Sequence, residues 1–585
     1  MAKYHFLIYH RDYRGFLAEL RDLGAFHVKE KNEVPASLKD QLKDLGVLQD
    51  IFNHFEEKPL FKETGKELPR LITSEIHSKI QENIQLSKEL DALKSELALL
   101  LASFGQFSKE RIAELKAHQI YFHFFSCKLG QWESKWEENF AIEKLNETAK
   151  KTYFVIVSRD SKPPQIHAQT EIMPEHGAKE IEEKIESLSA QIENNKLILR
   201  EFFERNREDL NYTYYKIKDQ FHFDKIEVQG EKLNDEKFIW LEAFVPIDKR
   251  EAMETELQNK SCYFEEEAIQ EGEKIPILLN NNKFSKLFEP IGSLFSLPAY
   301  NELDLTPLFA PFFLLFFGFC LGDAGYGILI VIGLWFFGHK LGPDSKSIVR
   351  LAQILGLAAV GFGIITGTVF GYSFADSQLA IPENIKSMFL GSDQLFNLSL
   401  ALGGFQIIYG MVIKMVNQFR QFGFVYTLST FGWICLVIGL ALLGLDVSAL
   451  GGSILSWTGV GFIMLFNDPK ANIFVRLGKG LWELYGITGV FGDLLSYIRL
   501  FALGLSSSIL GLVINEIGLS ILDSGAIIGP IFFVVFMLIG HTLNLFIASL
   551  GAFVHPMRLT FVEFYKNAGF SGGGIKYTPF KKETS

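Results

Sequence analysis

The spacing of hydrophobic and polar positions changes near residue 300. Before that point, apolar residues occur in short alternating or periodic sets that leave most positions polar. Beyond it, they form runs that approach or exceed the roughly 20 residues needed to cross a bilayer as a helix. The sequence therefore predicts a water-soluble first half followed by a membrane-embedded second half.

Both ends of the first half carry the pattern of a β-α-β unit, in which strand-like segments flank a helical period. The first unit comprises strands at 4–10 and 25–31 around a helix at Tyr13–Leu23, and the second comprises strands at Phe238–Val245 and Cys262–Glu267 around a helix that begins near Asp248. The two units predict mixed α+β structure at both ends of the soluble half.

Two segments between these units repeat apolar residues with the four-and-three spacing of a coiled coil. The first seam comprises Leu86, Leu90, Leu93, Leu97, Leu100 and Phe104, and the second comprises Ile181, Ile185, Leu188, Ile192, Asn195, Leu199 and Phe202. Predicted strands at Ile120–Cys127 and Thr152–Ser158 separate the seams, so we expect the chain to travel outward and return. Ordinary amphipathic helices in a compact domain are the alternative.

The expected arrangement of residues 1–300 is an α+β dumbbell. A proximal lobe (1–70 and 215–285) and a distal lobe (107–175) would be joined by an antiparallel coiled coil (76–105 and 178–210). At 1.5 Å per residue, arms of this length span roughly 45 Å. Residues 301–570 would form the transmembrane domain, and residues 571–585 a cytoplasmic tail.

Eight apolar segments are predicted in the second half. They are Leu305–Leu321, Tyr326–Phe337, Leu351–Phe374, Phe396–Val416, Phe424–Leu445, Ile454–Phe466, Leu481–Glu516 and Ala526–Phe564. The first two are short and are separated by GDAGYG, which favours a hairpin over one long helix. The last two are about twice the length of a perpendicular span, so we expect them to be strongly tilted or to extend beyond the bilayer.

Loop charges favour eight spans with both termini in the cytoplasm, because Lys and Arg concentrate in cytoplasmic loops. The loops and tail on that side would hold Lys340, Lys346, Arg350, Lys414, Arg420, Lys470, Arg476, Lys479, Lys566, Lys576, Lys581 and Lys582. The opposite loops would hold Asp376, Glu383, Asp393, Asp446 and Asp523, with Lys386 among them. The N-terminus MAKYHFLIYHRDYRG lacks the apolar core of a secretory signal, which agrees with a cytoplasmic first half.

Arg499 is the charge that most needs explanation. It lies within the apolar run at Asp493–Ile514, and an arginine at mid-bilayer costs about 2.5–3.5 kcal/mol on insertion scales. Snorkelling to the headgroups is one interpretation. A functional site with a partner for the charge is the other, and the apolar and small residues that flank Arg499 favour it.

Composition and motifs reduce the number of functional classes to which the protein can belong. Residues 1–300 hold 42 Lys+Arg against 53 Asp+Glu, whereas residues 301–585 hold 15 of each, so the net charge of −11 belongs to the first half. That half has no basic patch suited to nucleic acid. The four cysteines form neither a CxxC pair nor a disulfide framework, and HExxH and GxSxG are absent from residues 1–300. We therefore expect no catalytic residues, no metal and no cofactor.

Three stretches resemble the membrane stator subunit of rotary vacuolar-type ATPases, called subunit I in bacteria and subunit a elsewhere. They are PAYNELDLTPLFAPFFLLFFGFCLGDAGYG (Pro298–Gly327), GDLLSYIRLFALGL (Gly492–Leu505) and VHPMRLTFVEFYKNAGFSGGGIKYTPF (Val554–Phe580). The resemblance covers essentially the whole chain, because this family has a cytoplasmic dumbbell on a coiled coil followed by eight membrane helices. Leu305 stands where relatives usually have proline, a change we expect to be harmless.

The resemblance implies a non-catalytic stator subunit that couples ATP hydrolysis or synthesis to the movement of H⁺ or Na⁺. The family's essential arginine on the seventh helix maps onto Arg499, the second arginine onto Arg558, and the polar position before it onto His555. The implied partners are rotor ring subunits with an ion-binding carboxylate, central-stalk subunits, coiled-coil peripheral-stalk subunits and, indirectly, the ATPase head. The implied location is the bacterial cytoplasmic (inner) membrane, in contact with lipid.

The chemistry of arginine agrees with this role. A permanently charged guanidinium that faces a passing carboxylate favours the ionised, ion-free carboxylate. Ions then need two offset aqueous half-channels, one from each face of the membrane. Candidate residues for their walls are Glu483, Asp493, Ser496, Ser506, Ser507, Glu516, His541 and Asn544.

Two other classes of protein compete with this interpretation. A secondary transporter or channel with a cytoplasmic regulatory domain would carry its own mid-membrane site, usually between internal repeats. No repeat of GDAGYG or SYIRLF occurs in the sequence. A purely structural anchor would explain the dumbbell but would leave the cost of Arg499 without a purpose.

Overall fold

The computed structural model describes residues 1–29, 36–61, 64–104, 109–128, 131–132, 135–147, 151–171, 178–233, 237–258, 260, 262–270, 272–340, 342, 345–374, 389–523 and 528–582. The chain divides into two compact units. We call one the mixed unit, comprising 4–243, 249–266 and the residues from Pro579 onward. The other is the helical unit, comprising 1–3, 244–248 and 267–578.

The mixed unit contains the first seven helices and nearly all of the first nine strands. Its helices are α1 (Tyr13–Leu23), α2 (Lys39–His54), α3 (Arg70–Phe104), α4 (Lys109–Ala117), α5 (Lys135–Asn139), α6 (Ala178–Glu227) and α7 (Arg250–Gln258). The strands are β1 (Ala2–Tyr9), β2 (His27–Val28), β3 (Tyr121–Lys128), β4 (Ala141–Glu147), β5 (Lys151–Ser158), β6 (Gln169–Glu171), β7 (Glu231–Leu233), β8 (Phe238–Val245) and β9 (Tyr263–Glu267).

One sheet of this unit joins the two predicted β-α-β units. Its strands lie in the order β2-β8-β1-β9, and β7 pairs with β8. The alternation that predicted β1 reflects a core in which Tyr4 and Phe6 are completely buried. The strand predicted at 25–31 is limited to His27–Val28, and positions 30 and 31 lie outside the described residues.

A second sheet, with strand order β4-β5-β3-β6, is antiparallel throughout. Phe125 lies opposite Phe154 in the β3–β5 register, and their rings stack. Trp132 and Trp136 pack against Phe154 and complete a small aromatic core on one face. This core lies within the range predicted for a distal lobe.

The two long helices α3 and α6 pack against each other, with α2 against both. At one end of the pair, Ile80 shares a core with Leu199 and Phe203. At the other end, Leu100 and Ile181 share a core with strands β3 and β5. The described seam positions are partly or fully buried, as the heptad spacing requires.

In its described residues, the helical unit includes helices α8 to α18 and four short strands. The helices are α8 (Glu289–Phe295), α9 (Thr306–Leu321), α10 (Ala324–Phe337), α11 (Lys346–Thr366), α12 (Ser392–Phe422), α13 (Phe424–Gly444), α14 (Ala449–Phe466), α15 (Ile473–Leu484), α16 (Ile487–Ser496), α17 (Ile498–Leu522) and α18 (Ile528–Arg558). The strands are β10 (Pro276–Ile277), β11 (Thr368–Val369), β12 (Tyr372–Ser373) and β13 (Ile575–Lys576).

Among the described residues, six helices or continuous helical runs are long and apolar enough to cross a membrane. They are Lys346–Thr366, Ser392–Phe422, Phe424–Gly444, Ala449–Phe466, Ile473–Leu522 and Ile528–Asn567. A bent pair, α9 and α10, turns by 118° between Leu321 and Ala324, where GDAGYG predicted a reversal, and brings the total to seven if it counts as one span. Loop residues Asp376, Glu383 and Lys386 lie outside the described residues.

Two predicted segments differ in detail from the structure. The segment Leu351–Phe374 is not helical throughout, because α11 ends at Thr366 and residues 368–373 form the β11–β12 hairpin. Gly367 and Gly371 have φ of +69° and +76°, a left-handed backbone that ends a helix. The segment Leu481–Glu516 is not one helix, because tight three-residue turns interrupt it near Gly486 and again at Tyr497.

Helix α18 ends at Arg558, and the chain continues directly as a π-helix at Leu559–Phe564. It follows Pro556, which has no N–H to donate inside the helix. Residues Ile575–Lys576, predicted to lie in a tail, instead form β13 and pair in parallel with β10. This part of the predicted tail is therefore attached to the helical unit.

Helix α9 lies within the largest hydrophobic core of the helical unit. Its Phe309, Phe313 and Phe316 are completely buried. They share one core with residues of α11, α12, α17 and α18. Burial thus explains most of the apolar sequence of α9, and α9 packs against the two helices that carry Arg499 and Arg558.

Candidate functional site

Arg499 lies in the first turn of α17, immediately after the interruption at Tyr497. Its side chain is half-buried, and its Nη1 atom is buried with no hydrogen-bond partner among the described residues. A buried guanidinium normally forms several hydrogen bonds, because an unpaired buried donor costs about 1–3 kcal/mol. The site therefore contains a cation whose bonding capacity this part of the chain leaves unused.

His555 and Arg558 lie on the last turn of α18, three residues apart and so on one helical face. His555 is half-buried, with its Nδ1 buried and unpartnered within the described chain, whereas Arg558 is exposed. The guanidinium groups of Arg499 and Arg558 both lie within electrostatic range of the His555 imidazole. Arg499, His555 and Arg558, the three residues that the family resemblance indicated, therefore lie near one another in the structure.

Close packing fixes the backbone around Arg499. The Tyr497 hydroxyl donates to Gln406 Oε1 of α12 at 2.7 Å, and both side chains are completely buried. A Cβ on Gly403 would lie 2.5 Å from the Tyr497 ring, and one on Gly504 would lie 2.8 Å from the Phe319 carbonyl oxygen of α9. Glycines at these points let α12 and α9 approach the start of α17 closely, so the position of Arg499 is set by the backbone itself.

Asp493 belongs to a polar cluster on one side of Arg499. Lys566 Nζ lies 3.1 and 3.0 Å from its two carboxylate oxygens, and Asn567 Nδ2 donates to it at 3.0 Å. Glu563 also contributes, because its carbonyl oxygen accepts from Asn567 Nδ2 at 2.7 Å, while its buried Oε2 has no partner among the described residues. The cluster joins α16 to the segment that follows α18.

Ser507, His541 and Asn544 belong to a second polar cluster, on the other side of Arg499. Asn544 Nδ2 donates to the Ser507 carbonyl oxygen at 3.3 Å and to the Tyr326 hydroxyl at 2.8 Å. The same hydroxyl lies 2.7 Å from His541 Nδ1. Asn544 and Tyr326 are essentially inaccessible, so this cluster is an internal contact between α10, α17 and α18.

Of the remaining candidates, Ser496 reaches the Asp493 cluster, because its hydroxyl is within hydrogen-bonding distance of the Glu563 side chain. Glu483 is half-buried at the end of α15, with its Oε1 3.4 Å from Trp433 Nε1. Ser496 Oγ donates to the Gly492 carbonyl oxygen within α16 at 3.1 Å. Ser506 and Glu516 lie on α17 and are exposed.

Sequence reasoning missed several polar residues of these clusters. Tyr326 and Asn515 join the cluster around His541, and Lys566 and Asn567 bind Asp493. The only sequence signal for Tyr326 was its place in GDAGYG, which was interpreted as a turn. No group of three or more His, Cys, Asp or Glu side chains that could hold a metal ion is found in the described parts of the chain.

Comparisons with known proteins agree with this architecture. Residues 489–582, which contain Arg499 and Arg558, match the V-type ATPase 116kDa subunit family. The chain is 28% identical to the A-type ATP synthase subunit I of Methanocaldococcus jannaschii, over 93% of this chain and 87% of that protein. It is 24% identical to the V-type ATP synthase subunit I of Borreliella burgdorferi over 96% of each chain.

Two further relatives align with a smaller part of this chain. The A-type ATP synthase subunit I of Pyrococcus abyssi is 31% identical over 69% of this chain and 63% of its own length. A crystal structure of the cytoplasmic N-terminal domain of subunit I, a homologue of subunit a of V-ATPase, aligns with 46% of this chain and all of its own, at 14% identity and a TM-score of 0.24.

The apolar helices and these relatives define the class of the protein, a multi-pass membrane subunit of a V-type ATPase. The resemblance predicted from the sequence is confirmed: residues 489–582 match the V-type ATPase 116kDa subunit family, and the relatives over most of the chain are named subunit I of V-type and A-type ATP synthases.

Proposed function

We propose that this chain is the membrane stator subunit of a rotary V-type ATPase or ATP synthase. In this role it couples ATP turnover on other subunits to the movement of H⁺ or Na⁺. The observation that carries the proposal is the buried, unpartnered Nη1 of Arg499, on a helix packed against the one that bears His555 and Arg558. A cation kept unsatisfied within the described chain suits a carboxylate supplied by another chain.

The proposed partner is a rotor ring subunit with an ion-binding carboxylate. As that carboxylate reaches Arg499, the opposite charge stabilises its ionised form and releases the bound ion. The guanidinium stays charged throughout, because the arginine side chain is a permanent cation. Arg499 would also obstruct direct leakage, because a cation that crosses the site must pass a fixed positive charge.

Two offset half-channels would connect this site to the two faces of the membrane. Along the helix axis, Asp493 lies about 9 Å before Arg499 and Ser507 about 12 Å after it, at 1.5 Å per residue. Polar positions therefore occur on both sides of the arginine, as offset paths require. His555 is proposed to line the passage between Arg499 and Arg558.

The mixed unit is proposed to be the stator arm. The long α3–α6 pair and the small sheets at its ends suit attachment to peripheral-stalk and central-stalk subunits. This arm would hold the catalytic head, which carries the ATP sites, against the torque of the rotor. Both termini would be cytoplasmic, with α9 and α10 each crossing the membrane to give eight spans in the bacterial inner membrane.

Co-purification tests this proposal. We expect the tagged chain, extracted in mild detergent, to bring with it ATPase head subunits and a ring of small rotor subunits. A chain that purifies alone and transports a solute in liposomes would overturn the proposal in favour of a secondary transporter. The dependence of ATP-driven uptake on Na⁺ or on a proton ionophore then identifies the ion.

A further inference from the structure

Hydrogen bonds in the helical unit connect four segments in a closed polar ring, which comprises Asp323, Tyr326, Phe370, Asn515 and His541. The segments are the turn between α9 and α10, the β11–β12 hairpin, α17 and α18. From the sequence alone, His541 is a candidate for the wall of a half-channel. The proposed function gives no role to Asp323, Tyr326 or Asn515.

Asp323 is the anchor of the ring. Its Oδ1 accepts from the Tyr326 and Phe370 backbone N–H groups at 3.0 and 2.9 Å, and its Oδ2 accepts from the Gly371 N–H at 2.7 Å. The carboxylate is 1% exposed, so these three donors replace its water. Asp323 therefore fixes the hairpin to the start of α10.

The hairpin in turn orients Asn515 of α17. Asn515 Nδ2 donates to the Phe370 carbonyl oxygen at 2.8 Å, so its Oδ1 is left to accept from His541 Nε2 at 3.0 Å. This fixes the proton of a neutral His541 ring on Nε2. His541 Nδ1 is then an acceptor for the Tyr326 hydroxyl at 2.7 Å, which closes the ring back to Asp323.

The ring leaves no bonding position open at its centre. The Tyr326 hydroxyl donates to His541 and accepts from Asn544, and both ring nitrogens of His541 are engaged. A group that relays ions must exchange partners, whereas each member here already has its partner. Saturated buried networks specify one arrangement of the elements they join.

Backbone contact reinforces the same junction. Gly371, with φ of +76°, lies against Gly511 of α17, and a Cβ on Gly511 would come within 2.7 Å of the Gly371 Cα. The hairpin thus touches α17 directly, one turn before Asn515. Further toward Arg499, Leu503 of α17 and Gly551 of α18 are neighbours, since a Cβ on Gly551 would lie 3.9 Å from Leu503 Cδ2.

We propose that the polar ring is a positioning device that sets the register of α17 against α18, and so the placement of Arg499 relative to His555 and Arg558. Tyr326, Asn515 and His541 then act through helix geometry and do not carry the ion. The effect on transport rests on the proposed function, but the effect on helix register does not. The two claims can therefore be tested separately.

Disulfide cross-linking measures the register in the assembled complex. Leu503→Cys and Gly551→Cys are introduced after the four native cysteines are replaced by alanine, and the rate of oxidation to the disulfide is followed in membranes. We expect Tyr326→Phe to slow cross-linking at least fivefold, because it opens the ring. Tyr372→Phe, in the same hairpin but outside the ring, should leave the rate unchanged. Equal rates with Tyr326→Phe would overturn the proposal.

Asn515→Ala opens the ring at another point and provides the second variant if the first fails to assemble. We expect the same slower cross-linking, and combining it with Tyr326→Phe should add little, since residues that act as a unit are not additive. A rate equal to that of the intact ring would contradict the proposal.

Substitution of His541 separates positioning from ion transfer. Gln can accept from Tyr326 and donate to Asn515, yet its amide does not titrate near neutral pH. We expect His541→Gln to keep most of the cross-linking rate and most of the ATP-driven uptake, with an unchanged pH profile of uptake. His541→Leu should lose both the rapid cross-linking and the uptake. Loss of uptake in His541→Gln with unchanged cross-linking would show that His541 carries the ion, and would overturn the proposal.

Discussion

The two carboxylate oxygens of Asp493 both contact Lys566 Nζ, at 3.1 and 3.0 Å. The carboxylate side chain is 12% exposed and the lysine side chain 58%, so the pair lies at the edge of the helical core. The contact ties α16, six residues before Arg499, to the end of the segment that carries Arg558.

Removal of Asp493 should destabilise the helical unit more than removal of Lys566. Asp493→Leu removes one of the two acceptors of the buried Asn567 Nδ2 and leaves the Glu563 carbonyl oxygen as the other. An unpaired buried donor costs about 1–3 kcal/mol. Lys566→Met removes a largely exposed partner and should cost at most about 1 kcal/mol. Thermal unfolding in detergent gives the order of the two variants, and a greater loss with Lys566→Met would contradict it.

Loss of the Tyr497 hydroxyl should lower the stability of the protein, although this hydroxyl is not part of the proposed ion path. Tyr497→Phe leaves the fully buried Gln406 side chain without its donor, at a cost of about 1–3 kcal/mol. The double variant with Gln406→Leu should recover part of this loss, because no polar group is then stranded. The melting temperature of each purified variant measures the effect, and additive losses would contradict the assigned contact.

Cys262 should be a poorly reactive thiol at neutral pH. Burial, with help from the nearby Glu19 carboxylate, raises the pKa of Cys262 to about 11. The thiolate is the reactive form, so at pH 8 about one molecule in a thousand is reactive, against about one in four for an ordinary cysteine. Labelling with iodoacetamide should accelerate about tenfold per pH unit, and Glu19→Gln should speed it at fixed pH. A rate at pH 8 equal to that of free cysteine would exclude this pKa.

The α3–α6 pair should be separable from ion movement but necessary for coupling. A chain in which a short Gly/Ser linker replaces Leu86–Phe202 keeps Ile76, Ile80 and Leu210 of the core at the base of the pair. We expect it to insert into the membrane and to permit ATP hydrolysis without ATP-driven uptake. Coupled uptake at the wild-type ratio, or loss of membrane insertion, would count against a separable stator arm.

The sequence predicted elements whose pattern is long and periodic. The seams of α3 and α6, the strands β1, β5 and β8 and most apolar spans follow from spacing alone. The sequence did not predict the interruptions at Gly486 and Tyr497, because the apolar run continues across them. They are marked only by backbone hydrogen bonds between residues three apart. The end of α11 was not predicted for a similar reason. Phe370 and Tyr372 continue the apolar pattern of a membrane helix, whereas the positive φ of Gly367 and Gly371, which ends the helix, is not visible in that pattern.

The candidate site was predictable in part. Arg499 is conspicuous as a charge in an apolar run, and Arg558 and His555 share one helical turn. Which polar residues belong together was not predictable, because Tyr326 and His541 are 215 positions apart in sequence and meet through tertiary packing. Asp493 likewise finds Lys566 73 positions later. Long-range pairing of this kind depends on how helices stack, which apolar periodicity does not encode.

ATP-driven ion uptake by vesicles that contain the Arg499→Ala complex tests the central claim most directly. The variant should assemble and hydrolyse ATP but show no uptake above background, because Arg499 no longer faces the rotor carboxylate to release its bound ion. Arg420→Ala, which removes an exposed arginine near the end of α12, should transport like the wild type. Wild-type uptake by Arg499→Ala would contradict the account.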